Sequence, residues 1–139
     1  SGYICILGGN NQKMKESLRE RFVGEPRLRV LDYTDEVNQY MDASDVLLTK
    51  PGGLTSTEAA VKNIPIIHTA PIPGCETVNA RFFSERGLSL CRTDPQEIAE
   101  AAAQLAQDPA MREKMRKAQK EHINPMAAED ICDRITVGI

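Results

Sequence analysis

Two kinds of apolar spacing alternate along this chain. Short runs at Tyr3–Leu7, Leu28–Leu31, Val46–Thr49, Pro65–Thr69 and Leu88–Cys91 read as strands. An apolar run without polar alternation suits a strand covered on both faces, and Tyr3–Leu7, ended by Gly8-Gly9, is expected to be such a strand. Between the runs, apolar residues recur at helical spacing. Met14, Leu18 and Phe22 form one stripe, and Val37, Tyr40, Met41 and Ser44 a second. A central helix runs from near Leu54 to Asn63, and another passes through Val78 and Phe82. Gly24 with Pro26, and later Gly87, stop helices. After the last strand, Asp94-Pro95, Asp108-Pro109 and Asn124-Pro125 each mark a helix start. The Asp or Asn caps the open N–H groups, and Pro sits where its missing N–H does no harm.

Strands alternating with helices predict an α/β fold, a Rossmann-like parallel sheet with helices on both faces. Ligands of such sheets bind beyond the carboxyl ends of the strands. The turns at Gly8–Asn11, Leu31–Asp35, Lys50–Thr55 and Ala70–Asn79 all fall on that edge.

Composition narrows the function. The 139 residues are 41% apolar and 27% charged, those of an ordinary globular domain, so residues 1–139 are expected to form one domain with a core of its own. A net charge of −3, no Trp, three Tyr and three Phe exclude a basic, base-stacking nucleic-acid binder. Cys5, Cys75, Cys91 and Cys132 lack metal-ligand spacing, and their scatter suits a reducing, cytoplasmic setting. No apolar run reaches transmembrane length and no signal peptide is recognisable. Ser1-Gly2 reads as a cloning remnant on a cut fragment.

The most informative stretch is Asp45–Glu58, a buried strand turning through Lys50-Pro51-Gly52-Gly53 into a helix. Two glycines let the backbone approach a ligand closely. The helix's first N–H groups, with the dipole behind them, suit phosphate. Thr55 and Glu58 share a helical face. They could flank a ligand, or form a capping box in which Thr55 caps the helix and Glu58 bonds back.

Thr49-Lys50-Pro51-Gly52-Gly53-Leu54-Thr55 and Pro73-Gly74-Cys75-Glu76, with Asn79-Ala80 beyond, carry a resemblance. So do Leu7-Gly8-Gly9-Asn10-Asn11, Val30-Leu31-Asp32-Tyr33-Thr34-Asp35 and Pro125 through Ile131. Together they resemble the donor half of the glycosyltransferases that include monogalactosyldiacylglycerol synthase and diacylglycerol glucosyltransferase. More distantly, they are similar to the N-acetylglucosaminyltransferase that forms lipid II. Asp32 stands where that family has Gly, and Cys75 where it has Gln.

The resemblance implies a GT-B fold, of which this chain is the carboxyl-terminal, donor-binding half. Tyr33 would cover the uracil ring and the Thr34 backbone would bond its edge. Glu58 would take the ribose hydroxyls, and Gly52, Gly53 and Thr55 would face the diphosphate. Glu76, beside Cys75, would face the sugar hydroxyls, and Asn79 would lie near the sugar-phosphate. A thiol at Cys75 cannot reproduce an amide's two-way hydrogen bonding, which alters sugar recognition. The implied reaction is inverting transfer of a hexose from a UDP-sugar to diacylglycerol, at the inner face of the membrane, with no cofactor and no obligatory metal. The catalytic base and acceptor-binding domain would lie outside this chain. Transfer of N-acetylglucosamine to a polyprenyl-linked acceptor, or a non-enzymatic donor-binding subunit working with a partner chain, are the alternatives. The family's first strand has no counterpart here. Its place would be between the Tyr3–Leu7 and Pro65–Thr69 strands, whose unpaired backbone is expected to be met either by direct closure of the gap or by a strand borrowed from another chain, with edges that favour self-association.

Other features have plain readings. Gly8-Gly9 is a turn more readily than a phosphate cradle. His68 and His122 are assigned no catalytic role. Arg112, Arg116 and Lys120 form a basic stripe, diluted by Glu113 and Glu121, that reads as a solvated face rather than a lipid contact.

Overall fold

The computed structural model describes residues 2–136, which fall into two compact units, Ser1–Tyr40 and Met41–Ile139. In the first unit, β1 (Ile4–Leu7) leads through a glycine turn to α1 (Gln12–Arg21) and back to β2 (Leu28–Leu31). β1 and β2 pair in parallel, from Ile4 opposite Leu28 to Leu7 opposite Leu31. The Asn11 side chain caps α1 by accepting the Met14 N–H at 3.1 Å.

The buried position of α1 is Lys15, not the Met14–Leu18–Phe22 stripe. Its aliphatic stem lies against Gly8, where an added Cβ would sit 2.6 Å from Lys15 Cγ. Gly8 therefore makes room for a neighbouring side chain. The Lys15 ammonium donates to Asp32 Oδ1 at 3.0 Å, and Arg19 donates to the same oxygen at 3.1 Å. Lys15, then Arg19, holds the Asp32 carboxyl below the usual carboxylate range.

β1 is not buried on both faces as its composition predicts: Ile4 is 59% and Leu7 40% exposed. This unit contains a single complete helix, which cannot cover both faces of a two-stranded sheet.

α2 (Val37–Asp42) begins in the first unit and ends in the second. The second unit continues with β3 (Leu47–Thr49), α3 (Gly53–Val61), β4 (Ile66–His68), α4 (Cys75–Glu85) and β5 (Leu90–Cys91). α5 (Pro95–Gln107), α6 (Pro109–His122) and α7 (Ala127–Thr136) complete it. Its strands run parallel in the order β3-β4-β5, with Thr49, His68 and Cys91 aligned across the sheet. Successive residues of a strand face opposite ways, and β4 shows what that does. Ile66 packs with Ala59, Ala60, Phe83 and Leu88 under α3 and α4. Ile67 packs with Ala101, Leu105 and Met115 under α5 and α6. Helices thus cover both faces of a parallel, Rossmann-like sheet, as the strand–helix alternation predicts.

β4 is not an open neighbour of a missing strand. It is bonded on one side to β3 and on the other to β5, so β3 and β5 are the sheet's edges. The unpaired backbone expected on the Pro65–Thr69 strand is therefore not found, because both of its sides are taken up by sheet neighbours.

Asp94 and Asp108 cap α5 and α6 as their Asp-Pro pairs predict. α7 starts at Ala127, two residues after Pro125, and Asn124 instead accepts the Met126 N–H at 2.9 Å. Two residues of the basic stripe of α6 are tied to the protein's own backbone rather than simply solvated. Arg112 donates to the carbonyls of Leu105 and Ala106 at the end of α5 (2.6 and 2.8 Å), and Arg116 to that of Asn63 (3.2 Å). Beside them, Gln119 is fully buried and its Nε2 donates to the carbonyls of Ile64 (2.8 Å) and Leu88 (3.1 Å), just ahead of β4 and β5.

Candidate donor-binding site

The turn that ends β3 is built from buried and bare parts. Pro51 is fully buried, whereas Lys50 and Gly53 are exposed. Gly52 is the N-cap of α3, in extended conformation (φ −69°, ψ 140°), and no side chain caps the helix. The first intrahelical bond is Ser56 N–H to the Gly52 carbonyl, 3.0 Å. The N–H groups before it are left at the carboxyl edge of the sheet with the positive end of the dipole behind them.

This start settles the capping-box question for the helix itself. Thr55 is the third helical residue and Gly52 the cap, so Thr55 cannot serve as N-cap. The Glu58 side chain, one turn further along, is exposed and makes no hydrogen bond or ion pair among the described residues. A carboxylate with no structural partner is available to a ligand.

α4 closes over the turn. Asn79 Nδ2 donates to the Pro51 carbonyl at 3.0 Å and lies 3.7 Å from where a Cβ on Gly53 would stand. The loop before α4 ends at Gly74, whose φ of +113° only glycine adopts without strain. Cys75 begins the helix and is exposed. Glu76 points back into the loop, where its Oε2 accepts the Ile72 N–H at 2.7 Å. Its Oε1 faces the Lys50 ammonium at 3.8 Å. The structure thus gathers Gly52, Gly53, Glu76 and Asn79 about one turn, with Cys75 beside Glu76 and with Thr55 and Glu58 on the helix that leaves it.

Tyr33 and Thr34 belong to the other unit. Tyr33 is 68% exposed, and Thr34 Oγ1 accepts the Glu36 N–H at 3.1 Å, shaping the turn into α2.

Two residues here have surroundings that their plain sequence reading does not reach. Lys50 was read only as part of a motif, although a basic residue ahead of a Pro-Gly-Gly turn is a visible signal for an anion. His68, at the end of β4, is fully buried beneath the turn. Its Nε2 lies 2.9 Å from Ser56 Oγ and its Nδ1 3.0 Å from Ser89 Oγ, and its ring meets the edge of Phe83. Burial pushes its pKa down to about 4, so the imidazole is neutral at pH 7. Nothing in the sequence pairs it with two serines so far away in the chain. Among the described residues, no group of three or more His, Cys, Asp or Glu is placed to hold a metal, and no helix is long and apolar enough to cross a membrane.

A family model described as "Glycosyl transferases group 1" matches residues 3–122. The chain belongs to that family. Among its curated relatives, the processive diacylglycerol beta-glucosyltransferase of Bacillus pumilus (strain SAFR-032) is 31% identical over 136 residues, covering 94% of this chain and 36% of the relative. The enzyme so named from Staphylococcus carnosus (strain TM300) is 34% identical over 105 residues, covering 76% of this chain and 27% of the relative. This glycosyl transferase chain therefore spans about a third of the length of the curated relatives it matches. Among solved structures, MurG of Acinetobacter baumannii superposes with a TM-score of 0.77 at 21% identity, over 96% of this chain and 41% of MurG. A UDP co-structure of S. aureus MnaA gives 0.73 at 19%, over 97% and 35%. Both likenesses concern the fold, which is that of a GT-B half.

Proposed function

We propose that this chain is the donor-binding part of a glycosyltransferase that moves a hexose from a UDP-sugar to a diacylglycerol acceptor with inversion. The observation that carries the reading is the bare start of α3, with Thr55 and Glu58 beside it and Glu58 committed to nothing else. The open N–H groups after Gly52 and Gly53, with the Thr55 hydroxyl, receive the diphosphate. They stabilise the charge that grows on it as the bond from the sugar's anomeric carbon to the phosphate oxygen breaks. Glu58 accepts from the ribose hydroxyls. Glu76 takes a sugar hydroxyl through the oxygen not bonded to Ile72, with Cys75 beside it, and Asn79 holds the turn near the sugar-phosphate. The acceptor hydroxyl attacks the opposite face of the sugar and gives its proton to a base supplied from outside this chain. The full-length enzyme works at the cytoplasmic face of a membrane, where its lipid acceptor lies.

Calorimetric titration with UDP, GDP and uridine tests this. The expected result is saturable UDP binding, weaker binding of uridine, and poor binding of GDP. Absence of UDP binding would overturn the reading. Catalysis needs acceptor and base positioned against the donor, so the chain alone is expected to transfer no hexose to diacylglycerol. Turnover by the isolated chain would refute the division of labour.

A further inference from the structure

The donor reading leaves an electrostatic difficulty. A diphosphate at the start of α3 would sit among carboxylates, because Glu58 rides on that helix and Glu76 faces the turn. Like charges gathered at one site oppose binding unless a cation offsets them. Most of the other basic side chains that α3, α4 and β5 carry or lead into are engaged elsewhere. Lys62 pairs with Asp42 beyond the far end of α3. Arg81 pairs with Glu85, Arg86 lies over the Phe82 ring, and Arg92 donates to the Cys91 carbonyl.

Lys50 differs. It stands between the end of β3 and the Pro51-Gly52-Gly53 turn, and its side chain is 57% exposed. Its partner among the described residues is Glu76 Oε1, at 3.8 Å. That is beyond hydrogen-bond distance, so none of the three ammonium donors is spent on it. Glu76, in contrast, is anchored: its side chain is only 16% exposed and Oε2 holds the Ile72 N–H. One partner is fixed and the other is free to leave.

We propose that Lys50 is a binding residue for the donor diphosphate, exchanging its long pair with Glu76 for direct contact with a phosphate oxygen. The exchange releases Glu76 Oε1 toward the sugar and brings one positive charge onto the anion. Without ligand, the pair keeps Lys50 over the turn. This rests on the donor-binding reading above, and the test separates the two.

Lys50→Met keeps the length of the side chain and removes its charge; Lys50→Arg keeps the charge. UDP and uridine are titrated into the unaltered chain and each variant by calorimetry, with thermal melts as a control for folding. Lys50→Met should weaken UDP about ten- to hundredfold, as expected for loss of a charge-assisted bond, and leave uridine within about twofold. Lys50→Arg should restore most of the UDP affinity. A shallower salt dependence of UDP binding in Lys50→Met would accompany the loss. Glu76→Gln can still accept the Ile72 N–H but carries no charge, and should tighten UDP a few-fold by freeing Lys50. If the unaltered chain binds UDP and Lys50→Met binds it equally, or loses uridine in the same proportion, Lys50 does not read the phosphates. Weaker UDP binding by a folded Glu76→Gln would overturn the exchange. No UDP binding by the unaltered chain would overturn the donor reading and this inference together.

Discussion

The side-chain amide of Asn79 donates to the carbonyl of Pro51 at 3.0 Å, joining α4 to the turn between β3 and α3. Pro51 is fully buried, so its carbonyl depends on the protein for a donor. Asn79→Ala should destabilise the chain by about 1 kcal/mol, the usual net worth of such a bond, and weaken UDP by loosening the turn. Asn79→Asp should do more harm than Ala, because a carboxylate facing a carbonyl repels where the amide donated. Denaturant melts of both variants check the order.

Glu58 offers a cleaner separation of stability from binding. Its side chain has no partner among the described residues, so Glu58→Gln should leave the melting temperature nearly unchanged. If it holds the ribose, losing charge-assisted bonds worth about 1.5–3 kcal/mol weakens UDP roughly ten- to hundredfold. Equal UDP affinities in the two proteins would take Glu58 out of the site.

His68 predicts a pH dependence. Burial lowers its folded pKa from 6.5 to about 4, so the neutral form is favoured in the native state. The unfolded chain takes up a proton at this residue as pH drops below about 6.5, and the folded chain does not until about pH 4. Stability from this group is therefore present above about pH 6.5 and is lost on the way down to about 4, by roughly 3 kcal/mol in all. His68→Asn should flatten that part of the stability profile relative to the unaltered chain. Urea melts at pH 4.5, 5.5 and 7 would show it, and parallel profiles would contradict the assignment.

Gln119 holds the carbonyls of Ile64 and Leu88 with one amide nitrogen. Gln119→Ala should cost about 2–5 kcal/mol, from two buried acceptors left without a donor and from lost packing. Gln119→Met keeps most of the volume but no donor, so it should recover the packing part alone. A methionine variant as stable as the original would show that those bonds do no more than offset the burial of Gln119 Oε1, which has no partner among the described residues.

The order and kind of the elements could be read from the sequence because they follow from local rules. Apolar runs bounded by Gly and Pro became parallel strands, helical spacing became helices, and Asp94 and Asp108 capped theirs. The Pro51–Thr55 turn was visible for the same reason, since its glycines and helix start lie side by side in the chain. Tertiary structure decided what depends on partners distant in sequence. Lys15 rather than Met14 is buried because Asp32, 17 residues on, takes its charge. Arg112 and Arg116 are bonded to backbone rather than free in solvent because carbonyls at Leu105, Ala106 and Asn63 lie within reach. Glu76 is anchored by Ile72 and faces Lys50, and His68 is held between Ser56 and Ser89, only once β3, β4 and β5 are side by side. Spacing along the chain tells which residues share a face, but a hydrogen bond needs its two ends within about 3 Å, and only the packed chain sets that distance.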